Sequence, residues 1–175
     1  MRKEKLNPAW RPTKWCERYW YVDPLAGVSS GANGDGLAYE ERDRTQPFEE
    51  WMAQRYNTFP NEKAATYAKA VIDYILKAHA RSGKKPKPGQ RFWYLMDGFT
   101  VCGSAIYQET GETANFSKSL FADGLATCSK KAAERLSNKI YKAVRQWYWY
   151  FLLATPPELP RITLGPYLNN YPDYE

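Results

Sequence analysis

Apolar residues recur with helical spacing in most of the chain after residue 45. The clearest stripe predicts a helix over 61–83, with Asn61 as its N-cap and Gly83 at its end. The longest predicted helix begins at Ser129 and stops before the Thr155-Pro156-Pro157 segment, because a residue that precedes proline avoids the helical conformation. Shorter helices are predicted over 45–56 and over about 114–126.

The segment Arg91–Thr110 fits two patterns. It carries an apolar stripe with helical spacing: Phe92, Leu95, Met96, Phe99, Cys102 and Ile106. Asp97-Gly98, however, lies between aromatic and β-branched runs and is also typical of a hairpin turn. We favour the helix, although Gly98 and Gly103 would each cost it roughly 1 kcal/mol. The alternative is a β-hairpin at about 91–108.

The two ends of the chain lack a regular period. Proline recurs in the first 25 residues, and the tryptophans there are five residues apart, which fits neither a helix nor a strand. The last 20 residues are rich in Pro and Tyr. We expect the aromatic side chains of both arms either to pack on their own domain or to dock on a protein partner. The candidate partner-binding residues are Trp10, Trp15, Trp20, Tyr167, Tyr171 and Tyr174.

These patterns predict a mainly α fold, a small helical bundle with extended N- and C-terminal arms. A length of 175 residues suits a single domain, 1–175. Within it we assign an extended arm to 1–25, the helical core to 45–155 and an extended tail to 156–175. The alternative fold class is α+β, with the hairpin described above.

Positive charge is concentrated in two segments. The net charge is +6, but residues 61–91 carry eight Lys or Arg against two Asp or Glu, and residues 129–150 carry six against one. Focused positive charge attracts polyanions such as nucleic acid. The candidate nucleic-acid-binding residues are Lys84, Lys85, Lys87, Lys131, Arg135, Lys139, Lys142 and Arg145. A solvated outer face of a bundle is the simpler explanation of the same charges.

The sequence offers little for catalysis or metal binding. His79 is the one histidine, so a nucleophile such as Cys102 would need it as its base, and no spacing brings the two together. A zinc site usually needs four Cys or His in close pairs, whereas the three cysteines and His79 are far apart. We therefore expect no catalytic residues, no metal and no cofactor.

The longest apolar run, Trp147–Ala154, is too short to cross a bilayer, and the first residues contain no apolar signal-peptide core. We therefore expect no membrane span, and an intracellular, cytoplasmic location or a place within a particle.

The resulting hypothesis is a non-enzymatic structural or assembly subunit. It would contact nucleic acid without sequence specificity through basic helical faces, as in a coat-like viral or nucleoprotein component, and would associate with other subunits. One alternative is an interaction module or inhibitor whose aromatic arms bind an acidic protein. Another is an enzyme with a site that the sequence does not reveal.

Overall fold

The structure, a computed structural model, describes Trp10 and residues 18–32 and 48–153. These residues form an α+β fold with two antiparallel sheets, so the prediction of a mainly α helical bundle is wrong. The elements in chain order are β1 Arg18–Asp23, β2 Gly27–Ala32, α1 Phe48–Gln54, α2 Glu62–Ser82, β3 Arg91–Met96, β4 Thr100–Ile106, α3 Glu112–Ala122, β5 Ala126–Thr127 and α4 Lys130–Leu153.

The first sheet is a hairpin of β1 and β2. Its turn begins at Asp23, whose Oδ1 accepts hydrogen bonds from the backbone N–H of Leu25 at 2.8 Å and of Ala26 at 2.7 Å. Gly27 follows with φ +82°, a conformation that favours glycine. The prediction of an irregular arm is therefore wrong for residues 18–23. The run Tyr19–Val22 is aromatic and β-branched, as is typical of a strand. The five-residue spacing of the tryptophans does not indicate this strand.

The second sheet has the order β4-β3-β5, and its β3–β4 hairpin occupies the segment that the apolar stripe assigns to a helix. The pairing register shifts between Tyr94 and Leu95, which marks a β-bulge. The extra residue of this bulge is Cys102 of β4. In β3, Phe92 and Leu95 are both fully buried although they are three residues apart, and β1 has the same burial pattern without a register shift. This spacing of buried side chains imitates a helix, which explains why the helix prediction for this segment is wrong.

Both hairpins place a tyrosine of the first strand opposite a glycine of the second. Tyr19 pairs with Gly31, and Tyr94 pairs with Gly103. A Cβ added at Gly31 would lie 2.8 Å from the Tyr19 ring, and one at Gly103 would lie 3.0 Å from the Tyr94 hydroxyl. The glycines thus leave room for rings that cross the strand pair and cover the bare backbone.

Helices α2 and α4 form the centre of the fold and run antiparallel. Near the start of α2, the Phe59 ring centroid is 5.5 Å from that of Tyr148, late in α4. Near the end of α2, His79 Nε2 lies 3.3 Å from the carbonyl of Ala126, just before α4. Both helices are capped by side chains: Asn61 Oδ1 accepts from Ala64 N at 2.9 Å, and Ser129 Oγ accepts from Ala132 N at 3.2 Å.

One hydrophobic core joins both sheets to these helices. It contains Val22 of β1, Phe92 of β3 and Leu120 of α3, together with the inward residues of α2 and α4. The turn between α3 and β5 closes against the backbone of α2 at Gly124, where a Cβ would lie 2.2 Å from Leu76 O.

Candidate functional site

The two basic segments predicted from the sequence meet at one end of the α2–α4 pair. Between residues 77 and 91 there are six Lys or Arg and no acidic residue, and between 128 and 146 there are six with Glu134 as the single acid. Cys128 Sγ donates a hydrogen bond to the carbonyl of Lys84 at 2.8 Å, which holds the linker after α2 against the start of α4. Burial raises the pKa of the Cys128 thiol, and the nearby charge of Lys84 opposes that shift.

The linker after α2 is fixed in place with its lysines outward. Pro86 is buried, whereas Lys84, Lys85 and Lys87 are exposed. The backbone N–H of Lys87 donates to Gln90 Oε1 at 2.9 Å, and Gly89 N donates to the carbonyl of Tyr107 at 2.9 Å. Together with Lys130 and Lys131, the three linker lysines form a surface that we call the basic corner.

A line of positive side chains continues from this corner along α4. Its members, which we call the basic stripe, are the exposed Lys131, Arg135, Lys139 and Lys142 and the half-buried Arg145. They recur at three- and four-residue spacing, so they share one face of the helix. At 1.5 Å per residue, the stripe is roughly 21 Å long.

One flank of the basic stripe borders α2. A groove of about 310 Å³ lies between the two helices. It is lined by Ile75, Ala78, His79, Ala132, Arg135, Leu136 and Lys139. The rest of this lining is mostly apolar. Arg135 and Lys139 belong both to the groove and to the basic stripe.

The other flank carries a cluster that the sequence analysis missed. The Arg55 guanidinium lies 4.9 Å from the centroid of the Tyr141 ring, and that of Arg145 lies 5.9 Å from the Tyr56 ring. The two tyrosine centroids are 6.0 Å apart. We call these four residues the Arg–Tyr cluster. Because Arg55 and Tyr141 come from segments far apart in sequence, no local pattern signals their contact.

Among the described residues, no carboxylate pairs with Arg55 in this cluster. Its Nη2 donates to Ser137 Oγ at 3.1 Å, and its Nε is buried without a hydrogen-bond partner among the described residues. Burial lowers the pKa of Arg55, and its interaction with Tyr141 opposes the shift. A half-buried cation that lacks an ion pair is costly unless an anion joins it.

The structure does not bring His79 and Cys102 together. His79 contacts β5 through Ala126, whereas Cys102 lies in β4 and donates to Asp97 Oδ2 at 3.8 Å. Strand β3 separates β4 from β5. Burial raises the pKa of the Cys102 thiol, and the charge of Asp97 raises it further, which disfavours the nucleophilic thiolate.

No group of three or more His, Cys, Asp or Glu side chains that could hold a metal ion is found among the described residues. A second cavity, of about 370 Å³, lies between the β1–β2 turn and α2. Its charges are already engaged in part, since Asp23 caps the turn and Lys69 pairs with Asp73.

Two of the candidate partner-binding tryptophans lie against their own core. Trp10 is half-buried, and its carbonyl accepts a hydrogen bond from Thr58 Oγ1 at 2.5 Å. Trp20 is also half-buried, and its backbone forms a β-bridge with Phe59. Trp15, Tyr167, Tyr171 and Tyr174 lie outside the described residues.

Comparison of the chain with protein-family models, with curated proteins and with solved structures gives no match. Among the described helices, none combines the length and apolar character that a membrane crossing requires.

Proposed function

We propose that the protein is a non-enzymatic structural or assembly subunit that contacts nucleic acid without sequence specificity through the basic corner and the basic stripe. The observation that carries this proposal is the hydrogen bond from Cys128 to the Lys84 carbonyl. It joins two basic segments that are distant in sequence into one continuous surface. A surface that neutralises several phosphates gains affinity by releasing counterions from the nucleic acid.

The composition of this surface favours backbone contact over base reading. It is dominated by exposed lysines, which bind phosphate as point charges, and it has few of the planar side chains that recognise base edges in pairs of hydrogen bonds. Phosphate contacts position a protein on nucleic acid but carry no sequence information.

The start of α4 supports the same proposal. Its first turn contains Lys130 and Lys131 and no acidic residue, although a helix N-terminus is stabilised by negative charge. Lys130 is partly offset by Glu134, whose Oε1 is 4.0 Å from its Nζ. Positive charge at this position does not stabilise the helix. It would, however, attract a polyanion bound at the start of α4.

The assembly part of the proposal is supported by β4. This strand is at the edge of its sheet and contains no charged residue and no proline, the usual protections against edge-to-edge pairing. Ile106 at its end is 43% exposed. Sedimentation of the wild type and of Ile106→Lys tests this part: association that the substitution weakens supports it, and a monomer at high concentration contradicts it.

Nucleic-acid binding is tested by fluorescence anisotropy of labelled oligonucleotides over a range of salt concentrations. We expect log affinity to fall linearly with log salt, and the slope to decrease by about 0.7 to 0.9 for each phosphate that a variant no longer neutralises. The test variant is Lys84→Gln/Lys85→Gln/Lys87→Gln. The control, Arg18→Gln/Lys63→Gln/Lys118→Gln, removes the same charge outside the basic corner and the basic stripe.

Equal weakening in both triple variants would show attraction by net charge alone and would contradict the proposed surface. Absence of binding even at low salt would contradict the nucleic-acid function itself.

A further inference from the structure

We propose that the nucleic acid is single-stranded and that its bases stack on the Arg–Tyr cluster while its phosphates follow the basic stripe. This inference rests on the proposed function and specifies its ligand. It assigns a binding role to Arg55, Tyr56, Tyr141 and Arg145, three of which lie outside the basic residues identified from the sequence.

The cluster adjoins the stripe directly. Arg145 belongs to both, and Tyr141 is four residues before it, on the same side of α4. A strand whose phosphates run along the stripe from Lys131 therefore reaches the cluster after roughly 21 Å of helix.

The geometry of the cluster suits flat, electron-rich groups. Each guanidinium lies over a tyrosine ring, at 4.9 Å for Arg55 and 5.9 Å for Arg145. A guanidinium can offer its plane to a base and its N–H edge to a phosphate oxygen. Arg145 is half-buried and is the member that the cluster shares with the basic stripe.

The charge of the cluster is uncompensated within the described residues. Neither Arg55 nor Arg145 forms an ion pair there, since the ion pairs found are Lys69–Asp73 and Lys130–Glu134. Burial disfavours the charged form and lowers the pKa of Arg55. A phosphate beside the cluster would offset this cost.

A single strand is favoured over a duplex because its bases are free to turn towards the protein. In a duplex the base faces are stacked on one another, so the cluster would meet only the sugar–phosphate backbone. Aromatic and arginine planes beside a positively charged track are the usual elements of single-strand recognition.

A purely structural role would be to hold the end of α1 against α4. The bond from Arg55 to Ser137 and the edge-on contact of Tyr56 with Tyr148, at a centroid distance of 5.2 Å, serve that role. Within the described residues Arg145 makes one ring contact, which adds little to this role. A substitution at Arg145 therefore best separates binding from stability.

The experiment compares three labelled probes of equal length: a single-stranded oligonucleotide, the same backbone with abasic sites, and a duplex. We expect the wild type to bind the single strand at least about five-fold more tightly than the abasic strand, as one stacked base contributes. Arg145→Lys keeps the charge but loses the plane, so it should bind the abasic strand as the wild type does and lose the preference for bases.

Arg18→Lys is the matched control, since it makes the same change at an exposed arginine of β1, outside the basic corner, the basic stripe and the cluster, and it should retain the preference. Unchanged affinity for the abasic strand reports that each variant is folded.

The remaining outcomes separate the two proposals. Binding of abasic, single-stranded and duplex probes with equal affinity overturns this inference and leaves the proposed function standing. A base preference that survives Arg145→Lys overturns the assignment to the cluster. Absence of binding to every probe overturns both.

Discussion

At the scale of single residues, the close approach of two elements is decided at Gly124. Its φ is +75°, and a Cβ there would lie 2.2 Å from the backbone oxygen of Leu76. Gly89 has a similar φ of +81°, but nothing lies within 4 Å of its would-be Cβ. A side chain at Gly89 would therefore cause backbone strain alone, whereas one at Gly124 would cause strain and a steric clash.

We predict that Gly124→Ala lowers the free energy of unfolding by about 2 to 5 kcal/mol, from strain and forced separation of α2 and the α3–β5 turn. Gly89→Ala should lower it by only about 1 to 2 kcal/mol, from strain alone. Urea denaturation of both variants measures the difference. Equal losses would mean that α2 moves aside at little cost.

Tyr148 gives a pH dependence with a definite sign. Its hydroxyl donates to the carbonyl of Thr58 at 2.5 Å, and burial raises its pKa above the ordinary value of about 10. The folded state therefore holds this proton more tightly than the unfolded state. The stability it supplies is fully present below pH of about 10 and is lost as the pH rises further.

We predict that the free energy of unfolding of the wild type falls above pH of about 10 and that Tyr148→Phe removes part of this slope. Tyr21, whose pKa is also raised by burial, contributes a slope of its own, so the comparison between the two proteins isolates Tyr148. Urea titrations at several alkaline pH values measure it, and identical slopes would refute the assignment.

At the scale of elements, the sequence predicted long helices well and short strands badly. The caps at Asn61 and Ser129 and the apolar stripes determine α2 and α4 locally, and both helices are present. In β3 the buried residues Phe92 and Leu95 are three positions apart, so the strand carries a helical pattern. Which side chains a strand buries depends on the elements packed against it, and local periodicity does not contain that information.

Helix α4 offers a test in which stability and binding change in opposite directions. We predict that Lys131→Glu raises the free energy of unfolding by about 0.3 to 1 kcal/mol, because negative charge suits the first turn of a helix. The same change should weaken nucleic-acid binding. Thermal denaturation and anisotropy on the same preparation check both, and parallel changes would show that Lys131 is not retained for binding.

At the scale of the whole molecule, the sequence predicted which residues are basic but not how they meet. Charge counts identified the segments that contain Lys84 and Lys131, and the spacing on α4 predicted a shared face. The bond from Cys128 to Lys84 and the contact of Arg55 with Tyr141 join residues 44 and 86 positions apart. Such contacts follow from the packing of α1, α2 and α4, which no local pattern specifies.

Phe59 lies where β1, α2 and α4 converge, and it is 0% exposed. We predict that Phe59→Ala lowers the free energy of unfolding by about 3 to 5 kcal/mol, since it leaves a cavity in the shared core. The matched control is Phe116→Ala, at a side chain that is 43% exposed, where the loss should stay under about 1 kcal/mol. Equal losses in denaturation experiments would show that the core is not centred on Phe59.

The antiparallel arrangement of α2 and α4 also determines how the protein resists force. The hydroxyl of Tyr148 lies 3.3 Å from the carbonyl of Trp10, so the chain enters the core beside the end of α4. A load applied between Trp10 and the end of α4 consequently acts first on the contacts of the Trp10 carbonyl with Thr58 and Tyr148. The basic corner lies at the far end of the helix pair, away from the point where this load is applied.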